Sequence, residues 1–264
     1  MKHLFWIAAI MCSVFIASGA FAAKDLMVYF PYEEIDNGIV PDMSGNGYDG
    51  TVNGDITLVD GKFGEAAKFT SGSFLDLHGE DIPAGEAPTD VFTICAWVKC
   101  ENTGGDQAIF NARASDGTWL IHPQLNGNGQ YRFTLRGYGS NKICDIKTGT
   151  VTWDEWTHYA GTYDKATGKV TLYINGEVIA ESDALADVDI AGDWDVGARV
   201  GYNIDNARPF TGVMDDFSIW RKVLTQDEIK DVMNNGPNSS VIAPVITAVS
   251  PNDKLASLWG QIKK

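Results

Sequence analysis

The amino-acid sequence predicts an all-β protein with two antiparallel sheets packed face to face. Short runs of alternating apolar and polar residues recur between residues 26 and 220, separated by clusters of Gly, Asn and Asp at hairpin spacing. The chain has 28 glycines, which suits many tight turns. A parallel α/β sheet would need helices between its strands, and no helical periodicity is visible there. Two facing sheets are the natural way to bury the apolar side of such strands.

The individual strands follow from these alternating runs. Residues 92–99 alternate most cleanly, so that the apolar side chains from Phe92 to Val98 share one face. Asn175 and Gly176 separate two further runs, and Asn-Gly is the strongest short hairpin signal because both turn positions need positive φ. The predicted strands cover residues 26–32, 65–70, 92–99, 107–111, 119–125, 131–136, 156–163, 169–174, 177–180 and 196–202.

One short helix is predicted after the last strand. Thr225 and Glu228 form a capping box, because the hydroxyl can accept from the backbone three residues on while the carboxylate reaches back. Leu224 and Ile229 have the spacing of a hydrophobic staple. The Gly-Pro pair at residues 236–237 ends this helix.

The two ends of the chain are predicted to lie outside the sandwich. Residues 1–22 resemble a secretory signal, with Lys2 at the start, an apolar run and an Ala-Phe-Ala cleavage site at residues 20–22. The run is short for a membrane span, which needs about 20 residues. We therefore expect a secreted, periplasmic or cell-surface protein with no membrane insertion after signal removal; a signal anchor is the alternative. The domain is assigned to residues 23–236, and residues 237–264 to a linker and short basic tail.

The charge of the chain restricts the class of partner. The formal net charge is −15, whereas nucleic acids favour proteins rich in Lys and Arg. Strong acidity also disfavours adsorption to anionic membranes. No nucleic-acid partner is therefore expected. The simpler interpretation of the same charge is that it only keeps the protein soluble.

Three cysteines follow the predicted signal, and an oxidising compartment would allow one disulfide. Cys95 and Cys100 are five positions apart, so on one continuous strand they face opposite sides and are unable to bridge. Cys100 with Cys144 is the predicted pair, which leaves Cys95 as a free thiol. Their spacing does not match a zinc motif.

Several segments, taken in order and spacing, resemble the LamG-like jelly-roll family, which is related to laminin G domains, pentraxins and concanavalin A-type lectins. The first reads DMSGNGYDG over residues 42–50, and the last reads LTQDEI over residues 224–229. The segments are residues 42–50, 61–69, 92–99, 156–164, 172–176, 210–217 and 224–229. The resemblance implies a concanavalin A-like jelly-roll sandwich whose first and last strands lie side by side. It also implies a structural Ca²⁺ near those strands.

The resemblance further implies where the Ca²⁺ ligands lie. Asp42 and Asn46 match the first ligand segment of the family, and Asp215 and Asp216 match the closing one. These residues supply the oxygen ligands that Ca²⁺ prefers, of which it takes about six to eight. The opening strand departs from the family, because residues 31–34 read PYEE where an aspartate-glutamate pair is usual. The alternative is that Asp42 and Asn46 only serve a glycine-rich turn and that the two later aspartates are solvated.

An enzyme is not expected, and the carboxylate pattern gives the main reason. The jelly-roll β-glucanases carry Glu-x-Asp-x-x-Glu on the strand that lines the cleft, where alternation puts the first two carboxylates on one face. The nearest match here covers residues 34–39, ends in Ile39 and looks like a turn. His78, His122 and His158 are isolated in sequence, and His158 fits a packed histidine better than a catalytic base. A glycoside hydrolase with an unrecognised carboxylate pair is the alternative.

Aromatic residues indicate how a ligand would be held, because sugars stack on Trp and Tyr while polar groups fix their hydroxyls. Any one of these aromatic residues could instead belong to the core. The candidates beside predicted loops and strand ends are Trp119, Tyr131, Tyr138, Trp153, Trp194 and Tyr202. The sequence therefore predicts a non-catalytic recognition domain that binds a glycan or polysaccharide. The alternative is an adhesion or assembly module that binds an extracellular protein.

Overall fold

A computed structural model of the protein describes residues 25–83, 85–185 and 188–249. The predicted signal sequence and the basic end of the predicted tail lie outside the described residues. Within the described residues, no helix is long and apolar enough to span a membrane.

The described residues form seventeen strands and two α-helices. The strands are β1 (Leu26–Phe30), β2 (Ile39–Val40), β3 (Gly50–Asn53), β4 (Ile56–Asp60), β5 (Glu65–Phe69), β6 (Phe74–Asp76), β7 (Val91–Cys100), β8 (Gln107–Ala108), β9 (Phe110–Arg113), β10 (Ile121–Leu125), β11 (Tyr131–Gly137), β12 (Asn141–Thr148), β13 (Thr157–Asp164), β14 (Lys169–Ile174), β15 (Glu177–Asp183), β16 (Gly197–Val200) and β17 (Gly212–Trp220). The helices are α1 (Gln226–Asn235) and α2 (Ala243–Val249), with short 3₁₀ turns at Gly79–Asp81, Tyr138–Ser140 and Gly236–Asn238.

The strands build two layers, and every pairing is antiparallel. The first sheet has the order β15-β14-β13-β7-β17-β5-β4, with β1 also paired to β17. The second sheet consists of two parts, β12-β11-β10-β8 and β2-β3-β6-β16-β9. Backbone hydrogen bonds from Ile109 to Pro123 and from Leu120 to Ala112 join these parts between β9 and β10. The predicted all-β sandwich is confirmed.

The hydrophobic core lies between the two sheets. Phe92 of β7 contacts Phe133 of β11 at 6.1 Å between ring centroids, and Phe110 of β9 contacts Phe217 of β17 at 5.8 Å. All four rings are fully buried, and burying a side chain of this size stabilises the fold by about 1.5–3 kcal/mol. The predicted inward face of β7 is confirmed, because its alternate apolar side chains all join this core.

The local signals in the sequence are found where they were predicted. Asn175 and Gly176 both have positive φ, at 51° and 74°, and they connect β14 to β15. At the start of α1, the Thr225 hydroxyl accepts from the Glu228 N–H at 3.2 Å, and the Glu228 carboxylate accepts from the Thr225 N–H at 2.8 Å. The helix ends at Gly236, whose φ is 50°.

The predicted linker is wrong for residues 237–249, because this segment folds onto the outer face of the first sheet. Ile242 and Ile246 are buried there beside Trp220. Pro244 does not prevent helix α2, since a proline is tolerated in the first turn. The cluster that covers this face contains Leu26, Tyr29, Cys95, Ala160, Tyr173, Trp220, Leu224, Ile229, Val232, Val241, Ile242, Val245 and Ile246.

The predicted disulfide is also wrong in this structure. Cys100 lies on β7 in the first sheet and Cys144 on β12 in the second, and both are free thiols. The Cys100 thiol donates to Gln107 Oε1 at 3.1 Å, and the Cys144 thiol donates to the Phe133 carbonyl at 3.8 Å. Burial raises the pKa of the Cys144 thiol to about 12, which makes it unreactive as a nucleophile.

Candidate functional site

The first and last strands of the sandwich, β1 and β17, pair with each other, and we call this pairing the seam. Phe30 pairs with Phe217 across the seam. The prediction that the first and last strands lie side by side is therefore confirmed. The earlier half of β17 pairs instead with β5, as Met214 does with Ala67. Asp215 and Asp216 therefore stand where β17 changes partner.

A β-bulge in β17 directs these two aspartates. Relative to β7, the segment from Asp215 to Ser218 contains one extra residue, and such a bulge re-aims side chains. Asp216 has a φ of 48°, a left-handed conformation that aspartate tolerates better than most residues. Its carboxylate is consequently buried beneath the seam.

The Asp215 and Asp216 carboxylates differ in how well they are paired. Asp215 Oδ2 accepts from the backbone N–H groups of Lys62 and Phe63 at 2.7 and 3.0 Å, in the turn between β4 and β5. Asp216 Oδ1 accepts from the Tyr29 hydroxyl. Asp216 Oδ2 is buried and has no hydrogen-bond partner, which is uncommon because buried polar atoms are nearly always paired.

A third carboxylate, Glu33, belongs to the same acidic cluster. Its Oε1 atom is buried without a partner, and its charge raises the pKa values of both aspartates. Burial raises the pKa of Glu33 to about 7 and that of Asp215 to about 7. Burial and then the neighbouring Asp215 charge raise the pKa of Asp216 well above its usual value. A Cβ atom at Gly236 would lie only 2.8 Å from Asp216 Oδ2, so glycine allows the backbone to approach the carboxylate.

The Asp42 carboxylate is engaged in a different way. Its Oδ1 accepts from the N–H groups of Tyr29 and Ser44, both at 2.9 Å. Its Oδ2 accepts from the Ser44 hydroxyl at 2.7 Å and from the Tyr48 N–H at 3.1 Å. These four donors fasten the glycine-rich turn to the carboxylate and to the first strand.

Asn46 likewise fastens the turn to the first strand. Its amide nitrogen donates to the Leu26 and Met27 carbonyls at 2.8 and 2.9 Å. The structure does not bring Asp42 and Asn46 together with the later aspartates. Tyr29 lies between the two groups, since Asp42 binds its backbone N–H and Asp216 binds its hydroxyl. Among the described residues, no three His, Cys, Asp or Glu side chains are grouped so as to hold a metal ion.

Asp42→Asn is expected to destabilise the protein by about 1–3 kcal/mol. An amide nitrogen in place of Oδ2 would face the Ser44 hydroxyl and the Tyr48 N–H, which now donate hydrogen bonds to that oxygen. Chemical denaturation, with and without Ca²⁺, measures this change. The loss is expected to be the same in both conditions. A loss that appears only with Ca²⁺ would assign Asp42 to an ion rather than to the turn.

Polar side chains are concentrated on the outer side of the second sheet. Alternation along β10 places Ile121 and Leu125 in the core and turns His122 and Gln124 to the opposite side. Trp119 forms a bridge with Arg113, so their side chains share this side. We call it the polar face, and its members are Asn111, Arg113, Trp119, His122, Gln124, Arg132, Thr134, Arg136 and Arg199 with Asn203 and Arg208 from the loop after β16.

This loop is held down onto the sheet. The Ile204 N–H donates to Asn111 Oδ1 at 3.2 Å. Asp205 forms an ion pair with Arg113 at 2.8 Å. Arg199 donates to Asn206 Oδ1 at 3.1 Å. These contacts hold the loop on the sheet and so fix the positions of Asn203 and Arg208.

Trp119 is the centre of the polar face. Three guanidinium groups surround its indole, with distances to the ring centroid of 5.3 Å for Arg113, 5.7 Å for Arg136 and 4.6 Å for Arg208. The His122 ring meets it edge-on at 5.3 Å. Cations at this distance from an indole are attracted by the ring quadrupole, so the arginines and the ring hold each other in place.

Several buried polar atoms of this face have no hydrogen-bond partner. They are Asn111 Nδ2, Gln124 Oε1 and the Nε atoms of Arg113, Arg136 and Arg208. The His122 ring and the Asn203 side chain have no partner other than each other. Burial, and then the charges of Arg208 and Arg132, lower the pKa of His122 to about 3. The imidazole is therefore neutral and offers one donor and one acceptor. Such a concentration of buried donors and acceptors without partners is uncommon in folded proteins.

Two of the aromatic residues predicted to bind a ligand belong to this region. Trp119 is at its centre, and Tyr202 lies at its edge, where its hydroxyl donates to the Asn206 carbonyl at 2.8 Å. Tyr202 also contacts the Phe74 ring at 5.9 Å.

The remaining aromatic candidates lie elsewhere. Tyr131 and Trp194 are buried in the core, so their predicted role as ligand contacts is wrong. Trp153 is partly buried and packs against the same core. Tyr138 is exposed, and its hydroxyl donates to Asp193. Sequence reasoning missed the polar members of the face, although the alternation of residues 121–125 already placed His122 and Gln124 opposite the apolar residues.

Another candidate location for a ligand lies on the outer side of the first sheet. It is a shallow cleft of about 390 Å³ beside Trp156, with Lys68, Lys99 and Glu101 among its lining residues. It has one aromatic side chain and charges of both signs. The cleft is therefore a second possible binding site, and experiments have to distinguish it from the polar face.

Comparison with known proteins identifies relatives of the chain. A family model described as the concanavalin A-like lectin/glucanases superfamily matches residues 78–230. The pentraxin-related protein PTX3 of Homo sapiens is 26% identical over 163 residues, which are 59% of this chain and 42% of that protein. The chain thus spans about two fifths of the length of the curated relatives it matches first.

Two solved structures share the fold at low sequence identity. One is the ligand binding domain of botulinum neurotoxin serotype D in complex with N-acetylneuraminic acid, with a TM-score of 0.60, 16% identity and coverage of 81% of this chain and 52% of that one. The other is domain 4 of AbnA, an extracellular arabinanase from Geobacillus stearothermophilus, in complex with arabinotriose. Its TM-score is 0.56 at 23% identity, with coverage of 80% of this chain and 98% of that one.

Proposed function

The chain belongs to the concanavalin A-like lectin/glucanase superfamily, and from that membership we propose that it is a non-catalytic carbohydrate-binding domain. The observation that carries the proposal is the partly exposed indole of Trp119 on the polar face, with three guanidinium groups around it. A sugar presents apolar C–H faces to an indole, and its hydroxyls both donate and accept hydrogen bonds. Arg113, Arg136 and Arg208 are partly exposed and offer N–H donors for those hydroxyls.

The structural neighbours support this proposal by analogy of fold. One of them is described in complex with N-acetylneuraminic acid and the other with arabinotriose. The second is also described as part of an extracellular enzyme, which agrees with the secreted or cell-surface location that we propose for this chain. We therefore propose both a sugar-binding role and a secreted or cell-surface location.

Binding is proposed rather than hydrolysis because of where the carboxyl groups lie. A glycoside hydrolase needs two carboxyl groups flanking the bond, one of them with a raised pKa. On the polar face, Asp145 forms an ion pair with Arg132 at 2.6 Å. Partial burial favours its neutral form, but the hydrogen bonds from Arg132 and Thr134 hold the Asp145 pKa below its usual value. The carboxyl groups with raised pKa values are at the seam and its turn: Glu33, Asp42, Asp215 and Asp216.

We also propose a structural Ca²⁺ at the seam, with a ligand set that differs from the predicted one. Asp42 and Asn46 do not fit an ion, because hydrogen bonds already occupy their side chains. Asp216 Oδ2 and Glu33 Oε1 are the two oxygens that we assign to it, since both are buried without a hydrogen-bond partner and both carboxylates interact electrostatically with Asp215. Backbone carbonyls and water would complete the roughly six to eight ligands that Ca²⁺ takes. The ion would neutralise the buried carboxylates.

Trp119→Ala is expected to weaken glycan binding at least tenfold, because it removes the stacking surface and the group that positions three arginines. A tenfold change corresponds to about 1.4 kcal/mol. Glycan-array screening identifies a ligand, and calorimetric titration of that ligand measures both proteins. Trp156→Ala is the matched control, since it removes an indole from the cleft on the first sheet and should leave the affinity unchanged.

The outcomes separate the competing functions. Loss of affinity in Trp156→Ala alone would move the site to the cleft. Absence of binding to every glycan, with binding to an extracellular protein instead, would support the assembly module. Release of reducing ends from a polysaccharide would establish a hydrolase and contradict the proposal.

A further inference from the structure

The arginines of this chain are concentrated on one surface. The sequence contains six arginines, and five of them are members of the polar face: Arg113, Arg132, Arg136, Arg199 and Arg208. The sixth, Arg221, follows β17 in the first sheet. The nine lysines within the described residues include no member of the polar face, and the formal net charge of the chain is −15. Solubility does not explain such a distribution, because it would be served equally by cations spread over the surface.

Three of the four arginines nearest Trp119 and His122 are held by carboxylates. Arg113 pairs with Asp205 at 2.8 Å. Arg132 makes two parallel hydrogen bonds to Asp145 at 2.6 and 3.0 Å. The pair in the third case is looser, with 3.7 Å between Arg208 and Asp106. These pairs fix the direction of the guanidinium groups.

Arg136 is the exception among the four. It is partly buried, and no carboxylate among the described residues lies within ion-pair distance of it. Its Nε atom is buried without a hydrogen-bond partner, as are those of Arg113 and Arg208. A buried donor without a partner is destabilising, because nothing replaces the hydrogen bond it made to water. An arrangement made only for stability would pair Arg136 with a carboxylate, as it pairs the other three arginines.

We propose that the glycan bound at the polar face is anionic, with a carboxylate or sulfate group that contacts Arg136 beside Trp119. This inference rests on the proposed carbohydrate-binding function. The planar guanidinium presents a fork of N–H donors that matches the two oxygens of a carboxylate or sulfate. The guanidinium groups of Arg113 and Arg208 lie 5.3 and 4.6 Å from the centroid of the same indole, and the indole accepts the sugar ring. The acidic remainder of the protein repels polyanions in general, which restricts them to this surface.

The test compares acidic sugars with neutral counterparts of the same backbone. The probes are a uronic-acid oligosaccharide and its methyl ester, sialyl-lactose and lactose, and a sulfated oligosaccharide and its unsulfated form. The acidic member of at least one pair is expected to bind the whole protein at least tenfold more tightly by calorimetry. Raising NaCl from about 50 to about 500 mM should weaken that binding, because salt screens charge. The carboxylate and sulfate pairs show which oxyanion is preferred.

Arg136→Gln is expected to bring the affinity for the acidic member down to that of its neutral counterpart. Arg136→Lys should give an intermediate value, since it keeps the charge and loses the fork. Lys99→Gln is the matched control, because it removes one positive charge from the first sheet and should change nothing. Melting curves of all three variants establish that they are folded; if Arg136→Gln is not, the Lys variant decides.

The two proposals fail in different ways. Equal affinity for acidic and neutral probes, unaffected by Arg136→Lys or Arg136→Gln, would overturn the anionic ligand and leave carbohydrate binding intact. Absence of binding to any probe and to any glycan on an array would overturn both. Tight binding of acidic probes that persists in the Arg136 variants and is lost in Lys99→Gln would place the anion on the first sheet and overturn this inference alone.

Discussion

In the presence of a chelator, the melting temperature is expected to fall by about 5–10 °C as the pH rises from about 5 to about 8. The cause is the acidic cluster of Glu33, Asp215 and Asp216. Burial raises the pKa values of Glu33 and Asp215 to about 7, whereas unfolded carboxyl groups titrate near pH 4. Between these values the folded protein binds more protons than the unfolded one, so the free energy of unfolding decreases with rising pH. The stabilisation is complete below about pH 4 and is lost as the pH passes 7, with a change on the order of a few kcal/mol.

Ca²⁺ is expected to reverse this loss at about pH 8. A ligand at a hundred times its dissociation constant stabilises the folded state by about 2.7 kcal/mol, which corresponds to roughly 5–10 °C for a domain of this size. Asp216→Asn should remove the response to Ca²⁺ and its own share of the pH dependence, while its side-chain oxygen can still accept from the Tyr29 hydroxyl. Differential scanning calorimetry measures each effect.

Glu33 and Glu34 provide a matched pair of variants for the same test. Glu33 is partly buried in the cluster, and its neighbour Glu34 is exposed. Glu33→Gln is expected to flatten the pH dependence and weaken the response to Ca²⁺, whereas Glu34→Gln should change neither. A pH dependence without any response to Ca²⁺ would indicate that the three carboxyl groups titrate together but do not bind the ion. Melting that ignores both pH and Ca²⁺ would contradict the assignment of the cluster altogether.

The sequence predicts the seam but not which oxygens lie at it. The same residue types, aspartate and asparagine among glycines, serve a metal loop or a tight turn. The choice depends on which donors reach Asp42, and one of them is the Tyr29 N–H, thirteen positions earlier. Glu33 was missed because its position depends on where β1 ends relative to the bulge at Asp216. Spacing in one chain does not fix such a register.

The polar face shows a similar division between local and distant information. Alternation along β10 is a local property, so His122 and Gln124 were available from the sequence. Asn203 and Arg208 join them only because their loop returns over the sheet and binds Asn111 and Arg113. The aromatic residues were misassigned for a related reason. Residue type alone does not distinguish a core ring such as Trp194 from a partly exposed ring on the polar face such as Trp119.

Ile242→Asp is expected to lower the melting temperature by about 5–10 °C. Ile242 is fully buried in the cluster on the outer face of the first sheet. The change removes about 1.5–3 kcal/mol of apolar burial, and an unpaired buried carboxylate costs several kcal/mol more. Thr247→Asp is the matched control, since it adds the same charge on the exposed side of α2 and should change stability by about 0.5 kcal/mol or less.

The size of the Ile242→Asp effect has an upper bound, because the segment can detach. Once residues 237–249 leave the sheet, the new carboxylate is solvated and no further stability is lost. The measured loss therefore reports how strongly this segment holds the sheet that carries the seam. Amide hydrogen exchange distinguishes the two cases: faster exchange confined to residues 237–249 indicates detachment, and faster exchange that extends into β1 and β17 indicates that the segment supports the seam. A variant as stable as the parent would return residues 237–249 to the role of a linker, because a carboxylate is tolerated at that position only if the position is solvated.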